Sequence, residues 1–392
     1  MKGRNPTFFD LFAGAGGLGK GFTDAGFVPL LAVEIREPSL RTYVRNVRPR
    51  LALCEDIRRL DPEKIARRIG RPDVLVGCPP CQPFSKLSRR LRREGRADPR
   101  EDLPLVFAEW AARLRPRVVF FENVPGIREH PVYERMRRRL SRTHRIVFEE
   151  VVDLGAYGAA VRRPRLILIA VSRDLPEDAA FAPPPPFGHR TVGEVLSRYA
   201  AFPPGSPEAP PNHLCLRVTP LTRERIRRVP RDGGDRFVLP EDLLVPCHRG
   251  PEGRRTFRDV LSRLRASEPA PYLTTGWHDV YRGRYIHPWE DRPLTAREAA
   301  ALMSFPDDFV FEGPFSSWTY QIGEAFPPEP ARRFAEAVRR CFFGKGQRAR
   351  RGQIPQRGRG AQMSMQKSKR RAKKPAGSRR TGASRQARSH SA

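Results

Sequence analysis

The sequence predicts an α/β fold: a mostly parallel sheet with helices on both faces, joined to a second, smaller, loop-rich domain. Three observations predict it. Short apolar runs rich in β-branched and aromatic residues recur along the first half and end in polar or Gly/Pro turns. Amphipathic stretches lie between the earlier runs, and strands alternating with helices build parallel sheets. After about Arg173 the alternation stops and irregular, proline-rich sequence takes over.

The strand candidates, in order, are TFFDLF (7–12), PLLAVEI (29–35), LALCEDI (51–57), DVLVG (73–77), VVFFENV (118–124), IVFEEVVDL (146–154) and LILIAVS (166–172). Helices are expected between the earlier ones, for example over 101–114 and 131–142. Open sheets of this kind bind ligands beyond the carboxyl ends of their strands. Those ends carry Asp10–Gly17, Glu34, Asp56, Cys81 and Glu122–Asn123, which nominates them as one site. FAPPPPFGHR (181–190) reads as a proline hinge and AFPPGSPEAPPN (201–212) as an irregular run. LTAREAAALMSF (294–305) is a helix that Thr295 can cap, with Glu298 completing a capping box. PEPARRFAEAVRRCFF (328–343) is a last amphipathic helix. The expected domains are 1–180, completed by 318–343, then 181–317, then a disordered basic tail over 344–392.

Charge narrows the partners. The chain of 392 residues carries a net charge of +31, and such a charge points first to a polyanion. Residues 344–392 hold 16 Lys and Arg and no Asp or Glu, which leaves the preceding 343 residues at +15. The tail should add salt-dependent, sequence-independent affinity for nucleic acid. Six scattered cysteines do not make a disulfide framework. MKGRNPTFFDLF lacks a long apolar run and a cleavage site, and no stretch reaches the length of a membrane span. A reduced, cytoplasmic protein is expected.

Three motifs carry chemistry, and each has more than one reading. DLFAGAGGLGKGF (10–22) follows a strand and should open a helix, where glycines let the backbone approach a ligand. Gly14, Gly16 and Gly19 satisfy GxGxxG, and Glu34 sits where a ribose hydroxyl would be held. That fits a nicotinamide enzyme, an adenosyl-methionine enzyme or a purely structural turn. Asp56 is either an adenine contact or a plain helix N-cap. VGCPPCQPFS (76–85) holds Cys78 and Cys81, a spacing open to a zinc half-site, a redox pair or one nucleophile with an unrelated neighbour. Zinc needs a second ligand pair, and only scattered candidates such as Cys247-His248 exist. A redox pair suits the two prolines but not the glycine-rich turn. In FFENVPGI (120–127), Glu122 against an apolar wall should have a raised pKa and donate a proton at neutral pH, unless it is a solvated strand-end carboxylate.

Taken together, DLFAGAGG, PPCQPFS, ENV, YGAAVRRPR (157–165) and YQIGEAFPP (320–328) resemble the ordered motifs of the DNA cytosine-5 methyltransferases over about residues 1–343. PYLTTGWHDVYRGRYIHP (271–288) and RPLTAREAAALMSFPDDFVFEG (292–313) resemble the same family. The resemblance implies a Rossmann-like S-adenosylmethionine-dependent methyltransferase sheet with a smaller target-recognition domain. It implies Cys81 as the nucleophile, Glu122 against ring N3 of the base, Asn123 holding the Cys81 loop, and Arg163 and Arg165 positioning the base. Positive charge should favour the Cys81 thiolate. S-adenosyl-L-methionine would lie against Phe12, Ala13, Gly14, Gly16 and Gly17. Glu34 would hold its ribose and Asp56 and Ile57 its adenine, while Pro80 and Leu103 line the pocket. No metal is implied.

Double-stranded DNA is the implied partner. Ser85, Lys86, Arg89 and Arg90 in SKLSRRLRREGR (85–96), Arg227 and Arg228 in an Arg-rich run, and Thr274, Thr275 and Gly276 in the recognition loop are the expected contacts. The implied enzyme is a monomeric bacterial methylase near the nucleoid, either solitary or beside a cognate restriction endonuclease. An RNA-acting relative, a DNA-binding relative that has lost catalysis and a nicotinamide redox enzyme are the alternatives. The sequence departs from the family pattern at Val161 (usually Gln), Ala160 (Pro), Glu324 (Asn), Phe326 (Val) and Arg36 (Asp). Glu324 is expected to weaken cofactor binding.

Overall fold

A computed structural model describes residues 4–84, 98–249 and 259–344. The expected contacts Ser85, Lys86, Arg89 and Arg90 and nearly all of the basic tail lie outside the described residues.

Seven strands form one sheet in the order β3-β2-β1-β4-β5-β7-β6. They are β1 (Thr7–Leu11), β2 (Val28–Glu34), β3 (Leu51–Cys54), β4 (Val74–Gly77), β5 (Val118–Asn123), β6 (His144–Asp153) and β7 (Pro164–Ser172). The pairs β1–β2, β1–β4, β2–β3 and β4–β5 are parallel, while β7 runs antiparallel to both β5 and β6. Every expected strand forms. The third stops at Cys54 because Asp56 caps a short 3-10 turn, Ile57–Arg59, which turns the chain out of the sheet.

The helices are α1 (Gly17–Asp24), α2 (Glu37–Val47), α3 (Pro62–Ile69), α4 (Leu103–Leu114), α5 (Pro131–Leu140), α6 (Val192–Leu196), α7 (Pro220–Arg228), α8 (Ala296–Leu302), α9 (Phe315–Gly323) and α10 (Pro328–Phe343). The strands are apolar on both faces, as a sheet covered twice requires. Phe9, Leu75, Val119 and Phe121 face α3, α4 and α5, whereas Phe8, Val74, Val76 and Phe120 face α1 and α10. Adjacent residues therefore serve opposite layers, the period-2 consequence of the pleat. Thr295 caps α8 in the expected capping box with Glu298.

Between β7 and α9 the chain has few ladders, so its backbone carbonyls need other partners. Buried arginines supply them. Arg263 donates to the carbonyls of Val229, Ile226 and His287 at 2.9–3.0 Å, and Arg297 to those of Pro211, Pro306 and Phe309. A second apolar core gathers Val195, Leu264, Trp277, Leu294 and α8. Val161 and Ala160 are fully buried in that core, so two departures from the family pattern are apolar packing.

Candidate active site

The carboxyl ends of β1, β2, β4 and β5 open into a cavity of about 220 Å³. All ten residues expected to hold a cofactor line it: Phe12, Ala13, Gly14, Gly16 and Gly17 after β1, Glu34 at the end of β2, Asp56 and Ile57 after β3, then Pro80 and Leu103. Cys81, Glu122 and Arg165 line the same cavity.

The glycine-rich turn divides its work. Gly14 has φ +55° and no atom within 4 Å of where a Cβ would stand, so its face is open. Gly17 is there for packing, because a Cβ would sit 2.1 Å from the Phe326 carbonyl oxygen. Phe12 holds a left-handed φ of 60°, which a bulky residue adopts only when its surroundings impose it. Phe326, the third departure, packs edge-on to Phe120 and forms part of the wall.

Glu34 accepts the backbone N–H groups of Gly14 and Arg36, each at 2.9 Å. Burial raises its pKa and those two bonds oppose the rise. Asp56 is a cap and also lines the cavity. Its carboxylate accepts the Arg58 backbone N–H at 3.0 Å as a helix cap and pairs with the Arg58 guanidinium at 2.8 Å. These hydrogen bonds hold it below the usual carboxylate range, although it still lines the cavity.

The reacting end is a buried charge cluster. Arg165 Nε lies 2.7 Å from Glu122 Oε1 and both side chains are buried. Glu122 therefore faces a guanidinium, not the apolar wall expected of it. Arg165 also donates to the Tyr272 hydroxyl at 2.6 Å. The Tyr272 ring packs against both guanidinium groups, 4.9 Å from that of Arg163 and 5.1 Å from that of Arg165. Arg163 donates to the carbonyls of Leu273 and Gly323 at 3.3 and 3.0 Å, so it braces the walls and does not line the cavity. Asn123 donates to the Pro79 carbonyl at 2.9 Å, which ties β5 to the loop carrying Cys81.

The expected positive charge is present at Cys81, where Arg165 and Arg163 both favour the thiolate. Burial pushes the thiol pKa up, and Arg165 and Arg163 offset only part of that rise. Cys78 is pushed well up by burial and by the Glu122 carboxylate. All six cysteines are free.

Sequence reasoning placed Asp10 in the strand-end cluster without giving it a role, and gave none to Ile35, Gln82 or Tyr320. Asp10 is fully buried, with one carboxylate oxygen lacking a hydrogen-bond partner, and burial lifts its pKa to about 8. Its signal was a lone acid ending an apolar strand. Ile35 is 64% exposed at the cavity although apolar, and Tyr320 and Gln82 complete the rim.

The expected DNA contacts sit elsewhere. Arg227 and Arg228 are exposed on α7, and Arg228 pairs with Glu224 at 2.7 Å. Thr274 is exposed and Thr275 half-buried, and their peptide abuts Gly323, where a Cβ would be 2.6 Å away. Gly276 donates its backbone N–H to Thr274 Oγ1 at 3.1 Å. Among the described residues His287, Glu290 and Glu298 bring three ligand-type atoms within 4.8 Å of one another, but Arg292 spans both carboxylates at 2.7–3.0 Å. Burial takes the His287 pKa down to about 4, so this is a neutral histidine beside an ion-pair network.

The sequence model of the family described as C-5 cytosine-specific DNA methylase matches residues 6–209 and 222–340. The chain belongs to that family. Among its relatives, the type II methyltransferase M1.HphI of Haemophilus parahaemolyticus is 31% identical over 339 residues, covering 85% of this chain and 86% of the relative. The type II methylase M.HgiDII of Herpetosiphon aurantiacus is 30% identical, covering 87% and 97%. The crystal structure of a protein assigned as a DNA modification methyltransferase encoded within an Escherichia coli prophage has the same fold, with TM-score 0.66, 22% identity and coverage of 87% and 100%.

C-5 cytosine-specific DNA methylases are enzymes that use S-adenosyl-L-methionine. The cavity of this methylase suits that group. The open Gly14 turn, the Glu34 carboxylate beside it and the apolar surfaces of Phe12, Ile57, Pro80 and Leu103 match a donor that carries hydroxyls and an aromatic base. Among the described residues no helix is long and apolar enough to cross a membrane.

Proposed function

We propose that this methylase transfers a methyl group to C5 of a flipped-out cytosine in a specific duplex sequence through a covalent Cys81 adduct. One observation carries the reading: Cys81, Glu122 and Arg165 share a cavity with every residue expected to hold the donor. Carbon 5 of cytosine is a poor nucleophile until a thiolate adds to C6. Cys81 Sγ forms that bond, and ring electron density shifts toward C5 and N3. Glu122 hydrogen-bonds or protonates N3 and so stabilises the charge that develops there. Arg165 orients Glu122, Asn123 fixes the loop behind Cys81, and Arg163 braces the opposite wall. S-adenosyl-L-methionine supplies the methyl group that C5 accepts. A base, with water sufficient for the role, then takes the C5 hydrogen, the Sγ–C6 bond breaks and Cys81 is regenerated.

Extrusion of the base costs roughly a few kcal/mol. Residues 1–180 with 318–343 would form the catalytic domain and 181–317 the target-recognition domain. Thr274–Gly276, Arg227 and Arg228 would meet DNA, and Ser85–Arg90 its phosphates. The type II methyltransferase names of its relatives support a modification enzyme; by this reading it acts on duplex DNA as a monomer, alone or beside a restriction endonuclease.

Expression in a host lacking cytosine methylation, followed by bisulfite sequencing, tests the reading and names the site. Cys81→Ala should abolish methylation while Cys78→Ser keeps most of it. Equal loss in both would overturn the single-nucleophile mechanism.

A further inference from the structure

Arg36 and Glu324, both departures from the family pattern and 288 positions apart, meet each other. Arg36 Nη1 donates to Glu324 Oε2 at 2.9 Å. The other carboxylate oxygen, Oε1, accepts from Gln82 Nε2 at 2.6 Å, and Gln82 is the residue after Cys81. We propose that Arg36, Glu324 and Gln82 form a clasp across the rim of the cofactor cavity that positions the Cys81 loop and couples it to occupancy of the cavity. The proposal rests on S-adenosylmethionine occupying this cavity.

The contacts run in an unbroken line. Gly14 N–H and Arg36 N–H both donate to the Glu34 carboxylate. The Arg36 side chain reaches over the Tyr320 ring, 4.9 Å from its centroid, to Glu324 at the end of α9. Glu324 accepts from Gln82 Nε2, and the side-chain oxygen Gln82 Oε1 accepts from Arg100 at 3.4 Å. Arg100 is itself fixed by two bonds to Asp98, at 2.9 and 2.7 Å. Gly14, Glu34, Arg36, Glu324, Gln82 and Arg100 all line the cavity. A ligand that displaces any member must therefore disturb its neighbours, and the last link is bonded to the nucleophile's loop. The charges also explain why the two departures occur together. Glutamate alone at 324 would leave an uncompensated carboxylate at the rim, and arginine at 36 supplies its counter-charge. The pair is 43% and 31% exposed, so either residue can be exchanged without unsettling a core.

The test uses the full chain and two readouts other than methylation. Titration calorimetry gives the affinity for S-adenosylhomocysteine. Iodoacetamide labelling of Cys81, followed by peptide mass spectrometry, gives the loop's response to that ligand. Arg36→Glu and Glu324→Arg should each weaken binding about fivefold and reduce the ligand's effect on Cys81 labelling. The reversed pair Arg36→Glu/Glu324→Arg should recover part of both losses relative to the sum of the single variants, because it restores the ion pair across the rim with its charges exchanged. Additive losses in the reversed pair would overturn the clasp. Affinity losses with an unchanged labelling response would overturn the coupling. Phe12→Ala separates the underlying reading, because unaltered S-adenosylhomocysteine binding in that variant would remove the cofactor from this cavity altogether.

Discussion

Replacing Glu122 by glutamine perturbs the buried pair at the end of β5 while keeping its shape. Arg165 would retain the Pro164 carbonyl at 2.8 Å and the Tyr272 hydroxyl at 2.6 Å but lose its counter-charge. Breaking a fully buried pair by removing one partner costs about 3–5 kcal/mol. Two terms offset that here. The glutamine carbonyl can still accept one hydrogen bond, worth about 1 kcal/mol. The Tyr272 ring, 5.1 Å from the guanidinium, contributes roughly 1 kcal/mol to a desolvated cation. A net loss of about 2 kcal/mol follows, and urea unfolding followed by far-UV circular dichroism reads it. Transfer of a radiolabelled methyl group to duplex DNA, measured on the same samples, should fall by roughly 10²–10⁴-fold, because an amide cannot take up a proton and pass it to N3 as a carboxylate can. Wild-type activity with the stability lost would make Glu122 a structural residue and sink its catalytic role. Unchanged stability would show that the pair carries none of the energy assigned to it.

Other perturbations separate neighbouring roles. Tyr272→Phe removes the hydroxyl from Arg165 and keeps the ring, so methyl transfer should drop by roughly tenfold with less than about 1.5 kcal/mol lost in urea unfolding; a larger stability loss than activity loss would refute a positioning role. Asp10→Asn should gain stability with rising pH. The native carboxyl titrates at about 8 against an ordinary 3.8, so the folded chain favours the protonated acid, and this penalty is absent below about pH 4, grows through the interval and is complete above pH 8. Urea midpoints of wild type and Asp10→Asn should then lie closest near pH 4 and separate at pH 8.5 in favour of asparagine; the opposite order would contradict the burial argument. Gly14→Ala should weaken S-adenosylhomocysteine binding in calorimetry at a stability cost of about 1–2 kcal/mol, whereas Gly17→Ala should lose roughly 1–3 kcal/mol by overpacking against Phe326.

The sheet was legible because its determinants are local. Each apolar run is short, bounded by turn residues and apolar on both faces, so its length and ends follow from composition, and Thr295 and Glu298 announce the start of α8 by themselves. The loop-rich region was not legible beyond its irregularity, because its order depends on long-range side-chain bonds. Nothing around Arg263 or Arg297 distinguishes a cation that holds carbonyls in a core from one that faces DNA. The same limit hid the Arg36–Glu324 pair, whose members look like two separate losses until the fold brings β2 and α9 together. At Cys81 the nearby positive charge was foreseeable from Arg163 and Arg165, but the burial that outweighs it depends on walls that only the fold assembles.

The glycine-rich turn shows how one motif carries two requirements. GxGxxG reads as a cradle for a ligand, and for Gly14 that holds, since its missing Cβ would project into open space. A Cβ on Gly16 or Gly19 would meet the Tyr43 ring of α2 at 2.9 Å or less, and one on Gly21 would lie 2.3 Å from Ala331 of α10. These glycines let α1 lie close to both helices, and α10 comes from the far end of the chain. The cavity's wall at Phe326 exists only because α10 has docked on α1. Cavity geometry here is therefore inherited from helix packing: substitutions at Gly17 and Gly21 would reshape the cavity through Phe326 and α10, and one at Gly14 would intrude on it directly.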